Sequence, residues 1–269
     1  NNFDDVADQT VSVSTTDDDV AGFTIVELDG STEVDESGDT DTFTVVLDAQ
    51  PTSDVVITIT SSDTGEATVT STLTFTPANW DTPQVATITG VDDDIIDGSQ
   101  TSTITVSIDD ANSDDDFDAI ADQTVSVSTT DDDVAGFTVA ETDGSTGVDE
   151  SGTTDIITVV LNAQPVSDVV MAISSSDASE TAVNGSTANN NSLTFTSANW
   201  DTPQSFTVTG VDDDLVDGTV NSILTISVVD ALSDNGFDAV ADQTVTASTT
   251  DDDVAGFTIV ELDGSTEVD

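Results

Sequence analysis

The chain contains no lysine, arginine, histidine, cysteine or tyrosine in its 269 residues. Without cysteine no disulfide can form, and the redox state of the compartment cannot be read from thiols. The common general bases and nucleophiles are also missing, so only a carboxylate pair, as in glycosidases, could catalyse a reaction. We therefore expect that the protein is not an enzyme.

The absence of basic residues leaves 56 Asp and Glu side chains uncompensated, for a formal net charge of −56. A chain this acidic repels itself and other polyanions, so we expect no nucleic-acid partner and no binding to anionic membranes. No apolar run approaches membrane-spanning length, so we expect no membrane insertion. Divalent cations and basic surfaces are the favoured partners. High salt also screens the repulsion, so a saline habitat is an alternative or additional explanation of the charge.

Hydrophobic residues make up 35% of the chain, which is enough to bury a core, and aromatic residues only 4%. Val, Ile, Phe and Leu alternate with Thr and Ser, a pattern typical of half-buried β-strands, and no stretch has a convincing helical period. The turn signals between these stretches predict seven or eight short strands in each repeat, with an acidic loop running through Asp35–Gly38. The predicted fold class is all-β, with tandem antiparallel, Ig-like β-sandwich domains in a linear array.

One nine-residue sequence, Thr-Thr-Asp-Asp-Asp-Val-Ala-Gly-Phe, occurs three times without change, and we call each copy a junction segment. The first Asp of the triplet recurs after 114 residues and then after 120, and the extra six residues fall in the loop Ser175–Ser192. Val254–Asp269 repeats Val20–Asp35 residue for residue. We expect the end of a preceding repeat at 1–19, whole repeats at 20–133 and 134–253, and the start of a following repeat at 254–269, within a longer array.

The Asp triplets of the junction segments predict metal binding. Three adjacent carboxylates repel each other strongly unless a cation lies among them, and this chain has no basic side chain to supply one. Zinc, copper and iron would lack their preferred His and Cys donors, whereas calcium takes six to eight oxygen ligands. Magnesium could compete, but flexible loops with several carboxylates suit the larger ion better. The predicted ligands here are Asp17, Asp18, Asp19, Asp131, Asp132, Asp133, Asp251, Asp252 and Asp253. Another acidic stretch, Asp114–Asp116, is interpreted as solvated surface.

Each repeat resembles the Calx-beta domain, the calcium-binding sandwich of sodium–calcium exchangers that also occurs in long arrays in large bacterial surface proteins. The resemblance depends on Val91–Asp97 before the penultimate strand, on Asp131–Phe137, on Asp35–Gly38 and on Ser62-Asp63. In that family these loops converge at one end of the sandwich and hold several calcium ions.

The resemblance implies a ligand set for each repeat. In the first repeat it adds Glu36, Asp63, Asp92, Asp93 and Asp97 to the triplet Asp131–Asp133. In the second repeat it adds Glu150, Asp177, Asp212, Asp213 and Asp217 to the triplet Asp251–Asp253. The chain departs from the family at Asp97 and Asp217, where Glu is frequent, so the shorter side chain leaves room for water.

These observations lead us to expect a structural segment of a long repeat protein, extracellular or at the cell surface, whose joints are stiffened by calcium. Its expected partners are calcium ions, neighbouring repeats of the same chain, and either other copies of itself or a cell-surface ligand. Two alternatives stay open. The repeats could be an adhesin module that binds a ligand through variable loops such as Asn184–Ser192, or subunits that assemble into a filament or surface layer.

Overall fold

The computed structural model describes residues 7–28, 30–185, 191–260 and 264. Contacts divide the chain into two compact units, one of residues 1–92 and 99–130, the other of residues 93–98 and 131–269. The short segment 93–98 therefore belongs to the second unit, although its sequence is part of the first repeat. Among the described residues, no helix is both long enough and apolar enough to cross a membrane.

Unit 1 is a sandwich of two sheets. Its strands are β1 Phe23–Glu27, β2 Thr32–Asp35, β3 Thr40–Leu47, β4 Val55–Ser61, β5 Ala67–Val69, β6 Thr72–Phe75, β7 Gln84–Gly90, β8 Gln100–Ile108 and β9 Gln123–Thr130. One sheet has the order β1-β3-β7-β5 and the other β2-β9-β8-β4-β6. Alternate residues of each strand point inward, as Val55, Ile57 and Ile59 do in β4, because successive side chains of a strand face opposite sides of the sheet.

Unit 2 repeats this architecture. Its strands are β10 Phe137–Glu141, β11 Thr146–Asp149, β12 Thr154–Leu161, β13 Val169–Ser175, β14 Thr181–Gly185, β15 Ser192–Phe195, β16 Gln204–Gly210, β17 Val220–Val228 and β18 Gln243–Thr250. The sheet orders are β10-β12-β16-β14 and β11-β18-β17-β13-β15. Its core contains three fully buried phenylalanines, Phe195, Phe206 and Phe237. The all-β sandwich prediction is confirmed.

Each larger sheet contains one parallel pair, β2 with β9 and β11 with β18, and the remaining pairs are antiparallel. The prediction of seven or eight strands was therefore wrong by this short extra strand. The reason is the composition of β2 and β11: both are four residues long and contain a single hydrophobic residue, Val34 or Val148, so they look like part of the acidic loop.

The two ends of the chain have no strand among their described residues. Residues 7–22 and 254–260 have no regular secondary structure. The expected following repeat at 254–269 lies in part outside the described residues, as do the first six residues and much of the loop Asn184–Ser192.

Candidate metal centre

The parallel pair in unit 2 determines where its acidic loops meet. Asp149, the last residue of β11, is paired with Thr250, the last residue of β18, and the backbone N–H of Glu150 donates to the carbonyl of Thr250 at 3.1 Å. Because parallel strands end at the same edge of a sheet, the residues that follow them emerge side by side. Glu150 and the triplet Asp251–Asp253 are therefore neighbours.

A third acidic segment reaches the same edge from the end of β16. A Cβ atom on Gly210 would lie 1.9 Å from the carbonyl oxygen of Asp149, so the two backbones touch at a point where only glycine fits. The residues that follow Gly210 begin the acidic stretch that includes Asp213. This close contact, which depends on glycine, thus brings distant parts of the sequence together.

The carboxylates of Glu150, Asp213 and Asp253 form a compact cluster. One oxygen from each lies within 4.8 Å of the others. Glu150 is only 1% exposed, and neither of its carboxylate oxygens has a hydrogen bond of normal geometry in the described part of the chain. Asp253 also has a buried carboxylate oxygen, Oδ2, without a hydrogen-bond partner. Buried acceptors of this kind require a partner, and the chain has no basic side chain that could supply one.

The pKa values of these groups show the electrostatic cost of placing several carboxylates close together in a buried site. Burial raises the pKa of Glu150, and the charges of Asp251, Asp213 and Asp217 raise it further, while the nearby backbone amide of Asp252 opposes the rise. The pKa of Asp253 is also raised, first by burial and then by neighbouring aspartates, with Asp214 the largest of these contributions. A cation bound among the carboxylates would reverse both effects.

Asp251, in the same triplet as Asp253, accepts hydrogen bonds from the backbone. Its Oδ2 accepts the N–H of Gly218 at 2.8 Å, and its Oδ1 accepts the N–H of Asp253 at 2.7 Å. These backbone hydrogen bonds lower the pKa of Asp251, with the Gly218 bond as the largest cause. Asp213 closes a similar turn by accepting the N–H of Leu215 at 2.6 Å. Both turns fix the acidic loops in place.

Glu180 is a residue that the sequence predictions missed. It is 5% exposed, and burial together with the charges of Asp217 and Asp213 raises its pKa. Its Oε2 is buried with no hydrogen-bond partner among the described residues. Beneath it the hydroxyl of Thr249 donates to the carbonyl of Glu180 at 3.3 Å and lies 2.9 Å from the hydroxyl of Thr181, so a polar layer separates the carboxylates from the core.

A signal for Glu180 was present in the sequence. The loops Asp63–Glu66 and Asp177–Glu180 differ in their central residues but keep Glu three positions after Asp. In unit 1 the equivalent Glu66 is 9% exposed. The preceding aspartates hold the turns: Asp63 accepts the N–H of Gly65 at 3.0 Å, and Asp177 accepts the N–H of Ser179 at 3.1 Å. The hydrogen bonds from Ser179 lower the pKa of Asp177.

A second concentration of carboxylates in unit 2 involves the segment 93–98 and the triplet Asp131–Asp133. Burial and the charges of Asp131 and Asp94 raise the pKa of Asp133 to about 6. Its Oδ2 is buried without a hydrogen-bond partner among the described residues. Asp131 accepts the N–H groups of Gly98 and Asp133, both at 2.8 Å, and Asp93 accepts the N–H of Ile95 at 2.7 Å. These turns match those of Asp251 and Asp213.

The other predicted ligands have varied surroundings. Glu36 is buried at 1% exposure and follows β2 in unit 1, where its N–H donates to the carbonyl of Thr130 at 3.2 Å. The exposed predicted ligands are Asp17, Asp18, Asp19, Asp63, Asp92, Asp97, Asp132, Asp212, Asp217 and Asp252. Asp17, Asp18 and Asp19 join no acidic cluster within the described ranges.

The interpretation of Asp114–Asp116 as solvated surface was wrong for Asp114. This residue is 5% exposed, and its Oδ2 accepts the N–H and hydroxyl of Thr52, each at 2.7 Å, and the N–H of Ser53 at 2.8 Å. These bonds, led by that of the Thr52 side chain, hold the pKa of Asp114 well below its usual range. Asp114 is therefore a structural carboxylate that fastens the turn after β3.

The donor set fits a hard divalent cation. It consists of carboxylate oxygens, several of them buried and without a protein donor, on loops held by short turns. Calcium binds such oxygens at 2.3–2.6 Å, so oxygens within 4.8 Å of one another can share one ion. Glu150, Asp213 and Asp253 are the side chains that would hold it in unit 2, and Glu36, Asp93 and Asp133 are their counterparts in the sequence of the first repeat.

No family model matches this chain, and no curated protein matches it. Solved structures that it resembles include CBD12 from CALX1.2, with 17% identity over 76% of this chain and 79% of that chain and a TM-score of 0.31. The calcium binding domain CBD12 of CALX1.1 follows at 16% identity, 76% and 80% coverage and a TM-score of 0.30. Domains 4–9 of the surface layer protein SbsC show 18% identity over 90% of this chain and 33% of that chain, with a TM-score of 0.29. At these TM-scores no functional conclusion follows.

Proposed function

We propose that the chain is a calcium-binding structural segment of a repeat protein outside the cell or at its surface. The observation that carries this proposal is the cluster of Glu150, Asp213 and Asp253, in which buried carboxylate oxygens face one another without a protein donor. Such an arrangement is costly without a cation. Calcium would supply the missing positive charge and satisfy the buried oxygens.

The proposed role is mechanical. The cluster joins three loops that lie far apart in the sequence, so an ion held there ties the end of β18 to the loops after β11 and β16. Binding only to the folded arrangement stabilises that arrangement by mass action. Calcium at extracellular, millimolar concentration would fill even weak sites of this kind. In this proposal the chain has no catalytic role, and its acidic surface binds cations.

Calcium titration of the chelator-treated protein by calorimetry tests this proposal, with magnesium as the comparison ion. We expect calcium to bind with a dissociation constant of about 1 mM or tighter and to raise the melting temperature. Small-angle scattering in calcium and in chelator then tests whether calcium stiffens the chain. If it does, the chain should adopt a wider range of conformations in chelator. Absence of calcium binding up to about 10 mM would contradict the whole proposal.

Of the alternatives, ligand binding by the loop Asn184–Ser192 remains a prediction, because most of that loop lies outside the described residues. Assembly of several copies into a filament or surface layer also remains a prediction.

A further inference from the structure

In each unit the second strand and the last strand lie side by side and run in the same direction. In unit 2, the four residues of β11 pair with the last four residues of β18, from Thr146 opposite Ala247 to Asp149 opposite Thr250. The backbone N–H of Glu150 extends this contact with a hydrogen bond to the carbonyl of Thr250 at 3.1 Å. β2 and β9 pair in the same way in unit 1. Each unit therefore has a short parallel ladder between its beginning and its end.

The first strand of each unit is also bonded to the last strand, in this case by a glutamine side chain. Gln123 begins β9, and its Nε2 donates to the carbonyl of Phe23, the first residue of β1, at 2.6 Å. Gln243 begins β18, and its Nε2 donates to the carbonyl of Phe137, the first residue of β10, at 2.5 Å. The chain thus enters each unit beside the start of the last strand and leaves from the end of that strand. The eight residues of β18 separate these two points by about 26 Å.

The two units follow each other directly along the backbone. β9 ends at Thr130 and β10 begins at Phe137, so tension along the chain leaves unit 1 through its last strand and enters unit 2 through its first strand. The chain contains no cysteine, so no disulfide carries tension past a unit. The non-covalent contacts of each unit must therefore bear the whole tension.

The direction of the paired strands determines how tension acts on them. Tension pulls β11 toward its N-terminal end and β18 toward its C-terminal end. In a parallel pair these two ends lie at opposite ends of the ladder, so the strands can separate only by sliding past each other, and the ladder hydrogen bonds are loaded together. If the two strands were antiparallel, the pulled ends would lie side by side, and the bonds would break one after another. The observed pairing is therefore the one that resists tension.

Hydrogen bonds, more than apolar burial, hold β11 in place. It lies at the edge of its sheet, beside β18, and Val148 is the residue that it adds to the core. The hydroxyl of Thr146 donates to Glu141 at 2.9 Å, and the N–H of Gly147 donates to Asp155 at 2.9 Å. Unit 1 has both bonds between the corresponding residues. Bonds with a defined direction resist the sliding of a strand along its neighbour.

We propose that the parallel pairs, β2 with β9 and β11 with β18, are mechanical clamps through which each unit bears tension along the chain. The clamp is the contact that must break by sliding before the unit can extend. This function goes beyond calcium binding, because the clamp consists of hydrogen bonds within the protein. It explains why two short strands with a single hydrophobic residue each are part of the fold.

Single-molecule pulling of the whole chain in chelator, along two directions, tests the proposal. Because the chain has no cysteine, two introduced cysteines at exposed positions define where the force acts. Val134→Cys with Asp252→Cys pulls unit 2 at opposite ends of the parallel pair, so the strands must slide. Val134→Cys with Asp242→Cys pulls at the same end, because Asp242 directly precedes β18, so the contacts open one after another. All three side chains are exposed.

We expect the unfolding force of unit 2 to be about twofold higher or more in the sliding direction, because forced unfolding depends on the unfolding barrier and this barrier includes all the ladder bonds at once. The two proteins differ only in the position of one cysteine, so their folds and stabilities are matched. Equal forces in the two directions, or a higher force with Asp242→Cys, would overturn the proposal. Because chelator is present throughout, this result does not depend on the proposed calcium site, whose failure would appear separately in the calcium titration.

A variant assigns the resistance to the parallel pair. Val148→Pro removes a backbone N–H on the side of β11 that faces β18, where the N–H of Glu150 also points. The ratio of the two unfolding forces should fall toward one. Leu193→Ala is the matched control, because Leu193 is buried in β15, at the opposite edge of the same sheet, so its loss destabilises unit 2 without altering the pair. A ratio that falls equally in both variants, or in neither, would contradict the assignment to β11 and β18.

Discussion

At the scale of single residues, the carboxylates of this chain are of two kinds that sequence composition does not separate. Asp114 and Asp251 accept hydrogen bonds from several donors, which lower their pKa values. Glu150 and Glu180 are buried, Asp253 is half-buried, and the pKa values of all three are raised. The first kind stabilises turns in its charged form, and the second kind needs a proton or a cation.

Replacement of Glu150 by Gln should separate the two effects of its charge. We expect weaker calcium binding, by tenfold or more, because an anionic ligand is lost. In chelator, the variant should melt at a higher temperature than the natural chain, because the repulsion among Glu150, Asp213 and Asp253 is reduced. Calorimetric titration and thermal melts measure these changes. Asp242→Asn is the matched control, because Asp242 is exposed and its replacement removes the same charge from unit 2. A calcium affinity equal in Glu150→Gln and in the control would contradict the assignment.

Asp114→Asn should destabilise unit 1 by about 2 kcal/mol, because a buried carboxylate that accepts three short hydrogen bonds loses its charge and part of its accepting capacity. The pKa of Asp114 is lowered on folding, so its contribution is complete above its unfolded value of about 3.8 and is lost as the pH falls below that value. Urea unfolding at pH 7 and at pH 3 tests this expectation. The gap between the natural chain and the variant should narrow at the lower pH.

Asp116→Asn provides the comparison for this measurement. Its side chain is exposed and lies two residues away. It should change the free energy of unfolding by no more than about 0.5 kcal/mol. Equal losses in the two variants would mean that net charge, and not the buried hydrogen bonds, accounts for the effect.

At the scale of elements, the glycines that end β7 and β16 hold the acidic loops against the parallel pair. Gly210→Ala should destabilise unit 2 by about 2 kcal/mol or more, because the new Cβ would lie 1.9 Å from the carbonyl oxygen of Asp149 and the backbone must move. The same movement should weaken calcium binding, because Asp213 follows Gly210 by three residues. Thermal melts and calcium titration of the variant check both expectations.

Gly147→Ala is the matched control for this variant. Gly147 lies in β11, and a Cβ atom there would meet nothing within 4 Å. This substitution should be neutral or stabilise by about 0.5 kcal/mol, since alanine loses less backbone entropy on folding. A Gly210→Ala protein as stable as Gly147→Ala would show that the contact with Asp149 is not a constraint.

The sequence supports the prediction of the sandwich because period-two alternation runs through the long strands, as in Gln100–Ile108. It does not reveal β2 and β11, because a four-residue strand with a single hydrophobic residue has no distinguishing pattern. Those two strands create the parallel pairs, and the pairs determine which carboxylates meet. From the sequence alone, the triplet Asp251–Asp253 could be selected as a candidate site. The inward direction of Asp253 and the burial of Glu180 could not be predicted, because they depend on tertiary packing.

At the scale of the whole molecule, the net charge of −56 makes stability depend on pH and on cations together. In the calcium-free protein, Asp133 has a pKa raised to about 6, and the pKa values of Glu150, Glu180 and Asp253 are raised as well. A carboxyl group whose pKa rises on folding favours the folded state while it is protonated. That contribution is present at low pH and is lost as the pH rises from about 4 through about 6.

The natural chain in chelator should therefore have a lower melting temperature at pH 7 than at pH 5. In about 10 mM calcium the order should reverse, because protons and calcium compete for the same oxygens and the ion binds better at pH 7. Differential scanning calorimetry at the two pH values, with and without calcium, measures both slopes, and magnesium serves as the comparison ion. Asp133→Asn should flatten the slope in chelator, since it removes the group that titrates near pH 6. If the melting temperature changed with pH in the same direction in chelator and in calcium, the ion would not bind at the buried carboxylates. The acidic residues would then act only as surface charge.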